Sequence, residues 1–197
     1  GGRGWVMATL LDRQSEESRG GLLLTASYDG TVGVWVCNAE WQVAASISGG
    51  GWTQRFSLQG HQDGVLALAL SRSRRLCCSG SNDGCVRVWD LLHGTCVRAL
   101  DAHEGAVSAM HWHQASGCLA TGAEDGKLRL WDITPIESAV RDGGEGGEPD
   151  VPCIHSVAVG GTDKDDPCEV LALAASADGL ALFAGLDDGG IALLTSH

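Results

Sequence analysis

The chain has 197 residues, 44% of them apolar, enough for one ordinary domain with a real core. Its formal net charge is −12; a phosphate backbone selects for Lys and Arg, so this balance excludes direct nucleic-acid binding and weakens attraction to anionic membranes, while leaving a basic protein partner compatible. No apolar run approaches the roughly 20 residues of a membrane span, and the N-terminus carries no signal-peptide core.

Gly is abundant at 29 and Pro scarce at 4, as expected of many tight turns joining short strands. Seven Trp against one Tyr and two Phe suggest that Trp fills one recurring structural slot. In chain order, residues 11–21 read as a polar loop between two strands, followed by TASYDGTVGVW at 25–35. Residues 37–52 form an insertion with room for an extra strand around Trp41–Ile47. GVLALAL at 64–70 and LCCSG at 76–80 are short apolar strands, VRVW at 86–89 alternates with Arg87 opposite Val86 and Val88, and TCVRAL at 95–100 alternates again. Asn82-Asp83-Gly84 and Glu124-Asp125-Gly126 are turn signals. Residues 133–150, Gly- and Glu-rich, read as a mobile surface loop, and 161–167 as another acidic turn. No helical period stands out, so no significant helix is expected.

A fixed period is the strongest feature. SGSNDGCVRVWD at 79–90 and TGAEDGKLRLWD at 121–132 align with Asp83 and Asp125, Trp89 and Trp131, and His61 and His103 each 42 residues apart. TASYDGTVGVW repeats the pattern with Trp35 six residues after Asp29. AGLDDGGIALL at 184–194 keeps Asp188-Gly189 but has Leu194 in place of Trp. Four short strands per period is the spacing of a propeller blade. The eight Cys show no C-x-x-C, hence no zinc signature; those in RLCCSG and GCLATG read as small buried hydrophobes with free thiols, as in a reducing compartment.

These residues resemble the WD-repeat family: Leu58-Gln59-Gly60-His61 is similar to its Gly-His signature, and Trp89-Asp90 and Trp131-Asp132 to its closing Trp-Asp, with Ala102 departing from the usual Gly. The resemblance covers nearly the whole chain, is strongest over 58–132 and weakest over 169–195. It implies an all-β fold, an incomplete β-propeller arc of about four blades, each a four-stranded antiparallel sheet, the last lacking its outer strand. As one segment over 1–197, the blades fall at about 5–59, 60–100, 102–159 and 169–195, with insertions at 37–52 and 133–150. Closed propellers of the family carry more units than this, so the chain reads as part of a longer protein whose open edges invite aggregation.

The resemblance also implies one hydrogen-bonded set of His61, Ser79, Asp83 and Trp89, and a second of His103, Thr121, Asp125 and Trp131. The N-terminal unit offers Thr25, Asp29 and Trp35 without a His, and the C-terminal unit keeps only Asp188, beside Ala184 and Leu194. The chemistry is sound on its own terms: a buried His must satisfy both ring nitrogens, an Asp in a tight turn accepts from it, a Ser or Thr hydroxyl bridges, and the indole N–H donates to the hydroxyl. Such a network stabilises only when complete, so the two middle blades should be the rigid ones. His, Ser and Asp are also the residues of nucleophilic catalysis, but a catalytic site does not recur once per repeat with a Trp attached. No G-x-S-x-G, H-E-x-x-H or phosphate-binding loop is present, so no catalytic residue is assigned. His111 and His113 flank Trp112 on a strand and read as structural rather than metal-binding, and the acidic loops lack a calcium-loop pattern. No metal, cofactor or small-molecule substrate is expected.

Trp5, Trp41, Trp52 and Trp112 lie outside the signature slot; they cap the core or, for Trp41 and Trp52, offer contact aromatics. In the family, residues just before the turn Asp and just after the His reach the binding face; here these are Tyr28, Asn82, Glu124 and Asp187, with Gln62, Asp63 and Glu104. The expected function is a non-catalytic protein-interaction scaffold or adaptor for proteins or peptides, cytoplasmic or nuclear. Alternatives are the substrate-recognition propeller of a ubiquitin ligase, the C-terminal propeller of a large membrane-trafficking protein, or a regulatory propeller attached to a kinase or peptidase. Leu91-Leu92 and Ile133-Thr134 after the two Trp-Asp pairs lack the Arg or Lys of propellers that dock on the damage-binding ligase adaptor.

Overall fold

The computed structural model describes residues 4–13, 21–37, 51–71, 73, 75–113, 116–142, 150–159, 168–176 and 181–195. These form four antiparallel sheets. The first holds β1 (Val6–Arg13), β2 (Gly21–Ser27), β3 (Val32–Cys37) and β4 (Trp52–Leu58). The second holds β5 (Val65–Leu70), β6 (Leu76–Ser81), β7 (Cys85–Asp90) and β8 (Thr95–Asp101). The third holds β9 (Val107–His113), β10 (Cys118–Ala123), β11 (Lys127–Asp132) and β12 (Cys153–Ala158); the fourth has three strands, β13 (Val170–Ala175), β14 (Ala181–Leu186) and β15 (Ile191–Thr195). Strands pair in sequence order within each sheet, the simplest solution for short strands joined by tight turns.

The first strand of each later sheet packs on the sheet before it: β5 on β1 and β2, β9 on β5 and β6, β13 on β9 and β10. The result is an open arc of four propeller blades. Its core is divided into three parts, one at each junction. Leu24, Val32 and Val34 of blade one meet Val65, Leu70 and Trp89 of blade two. Val86 and Val88 of blade two meet Val107, Trp112 and Leu119 of blade three. Leu128 of blade three meets Val170, Ala184 and Leu186 of blade four. Stability is therefore built blade against neighbour, as in other repeat folds.

Two glycines make close approach possible. A Cβ at Gly80 would stand 2.6 Å from Val107 Cγ1, and one at Gly122 would strike Val170 Cγ1. Gly80→Ala should therefore push blades two and three apart and cost about 1 kcal/mol, readable as a lowered urea midpoint. An unchanged midpoint would show that Val107 yields freely.

The sequence reading differs from the structure in several places. Where 133–150 reads as loop, Thr134–Arg141 forms a two-turn helix, α1. Pro135 occupies its first turn, Glu137 and Arg141 complement its dipole, and Ile136 and Val140 lie one turn apart on the second core cluster. Ile133 and Ile136 are fully buried, so the segment is a wedge under blades two and three. Of the polar loop expected at 11–21, residues 11–13 and 21 are strand instead, β1 continuing to Arg13 with Leu11 paired to Leu23, and 14–20 lie outside the described residues. Cys77 and Cys78 are fully buried, but Cys118 is only half-buried at the start of β10, beside the Ser116–Gly117 turn. Trp112 is in the core, Trp52 is half-buried against Gly21, and Trp5 is exposed. Trp41 and the extra strand expected near it lie outside the described residues.

Candidate functional site

In blade two the indole N–H of Trp89 donates to Ser79 Oγ at 2.8 Å, and Ser79 Oγ lies 2.8 Å from His61 Nε2. His61 Nδ1 is 3.1 Å from Asp83 Oδ2. An ionised Asp only accepts, so Nδ1 carries the proton and Nε2 accepts from the hydroxyl. The polarity therefore runs Trp to Ser to His to Asp. Asp83 also accepts from the backbone N–H groups of Gln62 (2.8 Å) and Cys85 (2.9 Å). Blade three repeats the arrangement: Trp131 Nε1 to Thr121 Oγ1 3.0 Å, Thr121 Oγ1 to His103 Nε2 2.8 Å, His103 Nδ1 to Asp125 Oδ1 3.0 Å. Both imidazoles are wholly buried.

Blade one keeps a remnant, with Trp35 Nε1 donating to Thr25 Oγ1 at 3.2 Å. Its Asp29 is exposed and holds its own turn, accepting from Thr31 N and Thr31 Oγ1. Blade four keeps none, because Ala184 and Leu194 offer no polar atom. There Asp188 accepts from Gly190 N, and Asp187 from Cys168 Sγ and Glu169 N. Arg129, in the same register as Arg87, adds an ion pair to Asp125 at 3.7 Å and donates to the carbonyl of Ala102. The 42-residue period carries this Arg as well, a signal the sequence reading did not use.

Burial lowers the pKa of His61 and His103, outweighing the attraction of Asp83 and Asp125. Burial raises Asp83 and Asp125, but hydrogen bonds to each carboxylate and the paired His more than offset it, and both end below 3.8. A buried neutral His contributes stability that is present above the ordinary value of 6.5 and lost as pH falls through its lowered folded value. The Asp contributions have the same sign and are lost below 3.8. Tm should therefore drop between pH 7 and pH 5, and that slope should shrink in His103→Ala. A Tm flat or rising over this range in the unsubstituted chain would contradict the pairing.

The other sequence-selected residues line one edge of the arc. Tyr28, Gln62, Asp63, Glu104, Glu124 and Asp187 are exposed and Asn82 is half-buried. Gly64 faces the Tyr28 ring, and Gly30 lies under the carbonyls of His61 and Asp63, which joins blade one to blade two. Gly84, at φ 77°, lies against the carbonyl of His103 and joins blade two to blade three; a side chain would both strain that φ and strike the carbonyl. Glu124 Oε2 accepts from Ala106 N at 3.3 Å. Burial, then the charges of Glu124 and Asp187, raise the pKa of Glu169, so these three acids form one patch across blades three and four. Glu169 was not selected from sequence, because only the fold brings it beside the turns. Among the described residues no group of three His, Cys, Asp or Glu could hold a metal ion.

Two segments of the chain, 52–90 and 94–132, match the model of the WD domain, G-beta repeat. These two segments are WD40 repeats in sequence, 78 of the 197 residues. Each matched WD40 repeat begins with the outer strand of one blade, β4 or β8, and continues into the three inner strands of the next. The chain is also similar to the small ribosomal subunit protein RACK1y of Oryza sativa subsp. japonica, 32% identical over 103 residues. That match takes in 52% of this chain and 26% of the relative, so it spans about a quarter of the relative's length. Among the described residues no helix is long and apolar enough to cross a membrane.

Proposed function

We propose that the chain is one propeller segment acting as a non-catalytic scaffold or adaptor, with a protein or peptide partner held on the rim of Tyr28, Gln62, Asp63, Asn82, Glu104, Glu124 and Asp187. The observation that carries this reading is the continuity of that rim. Turn and loop residues of the first three blades meet through the Gly30, Gly64 and Gly84 contacts, Glu124 and Asp187 of blades three and four flank Glu169, and the exposed carboxylates sit beside the two buried, hydrogen-bonded sets of the middle blades. Four exposed carboxylates, Asp63, Glu104, Glu124 and Asp187, with Lys127 paired to Glu104 at 3.7 Å, on a chain of net charge −12, favour a basic partner. Against catalysis, Ser79 and Thr121 are wholly buried and each hydroxyl already serves a His and a Trp. The similar rice protein, named as a protein of the small ribosomal subunit, supports a role within a complex. Eight free thiols, two of them wholly buried, support a reducing, cytoplasmic or nuclear setting.

The test is affinity capture followed by mass spectrometry, with the unsubstituted chain and a variant bearing Asp63→Lys, Glu104→Lys, Glu124→Lys and Asp187→Lys. A rim partner should be retained at low salt, fall off as salt rises, and bind the variant at least about tenfold more weakly, each close charge pair contributing on the order of 1 kcal/mol or more. Partners retained equally by both chains would remove the rim from consideration.

A further inference from the structure

The turn between β5 and β6 reads Ser71-Arg72-Ser73-Arg74-Arg75. Three of the chain's thirteen Lys and Arg stand within it, on a chain that carries 25 acids. The matching turn of blade three, between His113 and Cys118, reads Gln114-Ala115-Ser116-Gly117 and holds no charge. The hairpin itself therefore does not require the arginines. Register places the turn at the far ends of the strands from the rim, with Leu70 paired to Cys77 beside it and Val65 to Ser81 at the rim end.

The two serines of the turn differ. Ser71 is buried, and its Oγ accepts from the backbone N–H of Leu76 at 3.1 Å, closing the hairpin. Ser73 is exposed. Its hydroxyl donates to Glu137 Oε1 at 3.3 Å, so Ser71 is the donor in the 2.9 Å bond between the two serine hydroxyls. Glu137 lies on α1, next to the fully buried Ile136. One exposed hydroxyl of blade two thus ties down the blade-three helix that wedges under both blades. Arg75 stands two residues further on, its backbone N–H donating to Ser73 Oγ at 3.5 Å. Its Nη2 is 3.5 Å from Asp90 Oδ2, but its Nε is buried and has no hydrogen-bond partner among the described residues. That guanidinium has room for another anionic oxygen.

We propose that Ser73 is a phosphorylation site and that a phosphate there releases α1 from blade two. The phosphoryl donor is ATP, used by a serine kinase that selects arginine around its acceptor. Ser73 Oγ bonds to the γ-phosphorus, the bond from that phosphorus to the β–γ bridging oxygen breaks, and ADP leaves. The hydroxyl proton passes to the kinase's base. The product carries about 1.5–2 negative charges at neutral pH and no hydroxyl donor. Glu137 then loses its hydrogen bond and faces a like charge. Arg75 offers the phosphate the opposite charge within its own turn. The modified side chain is held on blade two and repelled from the helix, and Ile133 and Ile136 lose the clamp that keeps them seated.

Incubation of the chain with ATP and the catalytic fragment of protein kinase C, followed by peptide mass mapping, tests the site. Phosphate should appear on Ser73, and Ser73→Ala should take up less than about a tenth as much. No uptake by the folded chain, or uptake undiminished in Ser73→Ala, would overturn the site. Amide hydrogen exchange reads the consequence. In the phosphorylated chain, residues 134–141 should exchange at least about tenfold faster, with β6 and β7 unchanged. Ser73→Ala removes the hydroxyl without adding charge and should accelerate exchange far less. Glu137→Gln keeps an acceptor without the charge and should lose most of the phosphate's effect. Equal exchange with and without phosphate, or equal acceleration from Ser73→Ala, would overturn the release of α1.

Discussion

Trp89→Ala should lower the unfolding free energy by about 3–5 kcal/mol, the largest effect of any single substitution considered for this chain. Trp89 is the largest of the fully buried side chains, and it lies in the junction between blades one and two with Leu24, Val65 and Leu70. Truncation leaves a cavity at that junction and strips the indole donor from Ser79 Oγ. The two contributions separate in Trp89→Phe, which keeps most of the volume and loses only the N–H, and should cost about 1 kcal/mol beyond its packing change. Trp35→Ala is the internal comparison. Its indole makes a longer bond, 3.2 Å to Thr25, and the side chain is half-buried, so the cost should be clearly smaller. Chemical denaturation of the three variants checks the ranking; equal costs for Trp35→Ala and Trp89→Ala would mean that the complete hydrogen-bonded set adds nothing to the slot.

His103→Ala should cost about 1–3 kcal/mol, because it leaves Asp125 and Thr121 with one partner fewer in a buried setting. Asp125 retains the N–H of Lys127 and the ion pair with Arg129, which keeps the loss from reaching that of a fully stranded charge. A double-mutant cycle with Trp131→Phe reads the coupling through Thr121 Oγ1. A loss under about 0.5 kcal/mol in His103→Ala would show that the network is ornamental to blade three.

How much of this was legible beforehand differs by element. The two middle blades were readable because every marker recurs 42 residues apart, and a period cannot arise from local propensity alone. The order of blades and the three-stranded last sheet followed from the same register. The helix at Thr134–Arg141 was hidden by the Gly- and Glu-rich residues after it, although Ile133, Ile136 and Val140 carry a helical spacing too short to stand out. The selected rim residues are brought to one edge, but the joining glycines and Glu169 were invisible as a set. Their proximity comes from blade packing, which places residues of different repeats side by side. The exposure of Val6 and Ile191 was equally unreadable, since both look like the buried residues of other blades.

The one-strand offset between repeat and blade bears on how such a chain can change its blade number over generations. Removing residues 52–93, one 42-residue period, would take out β4 through β7 and carry β8 to the place beside β3 that β4 holds. One blade would be gone, yet no sheet would lose its outer strand. Duplication of the same stretch runs the process in reverse. A gene that recombines at these points can therefore lengthen or shorten its row of blades without passing through an ancestor with a torn sheet.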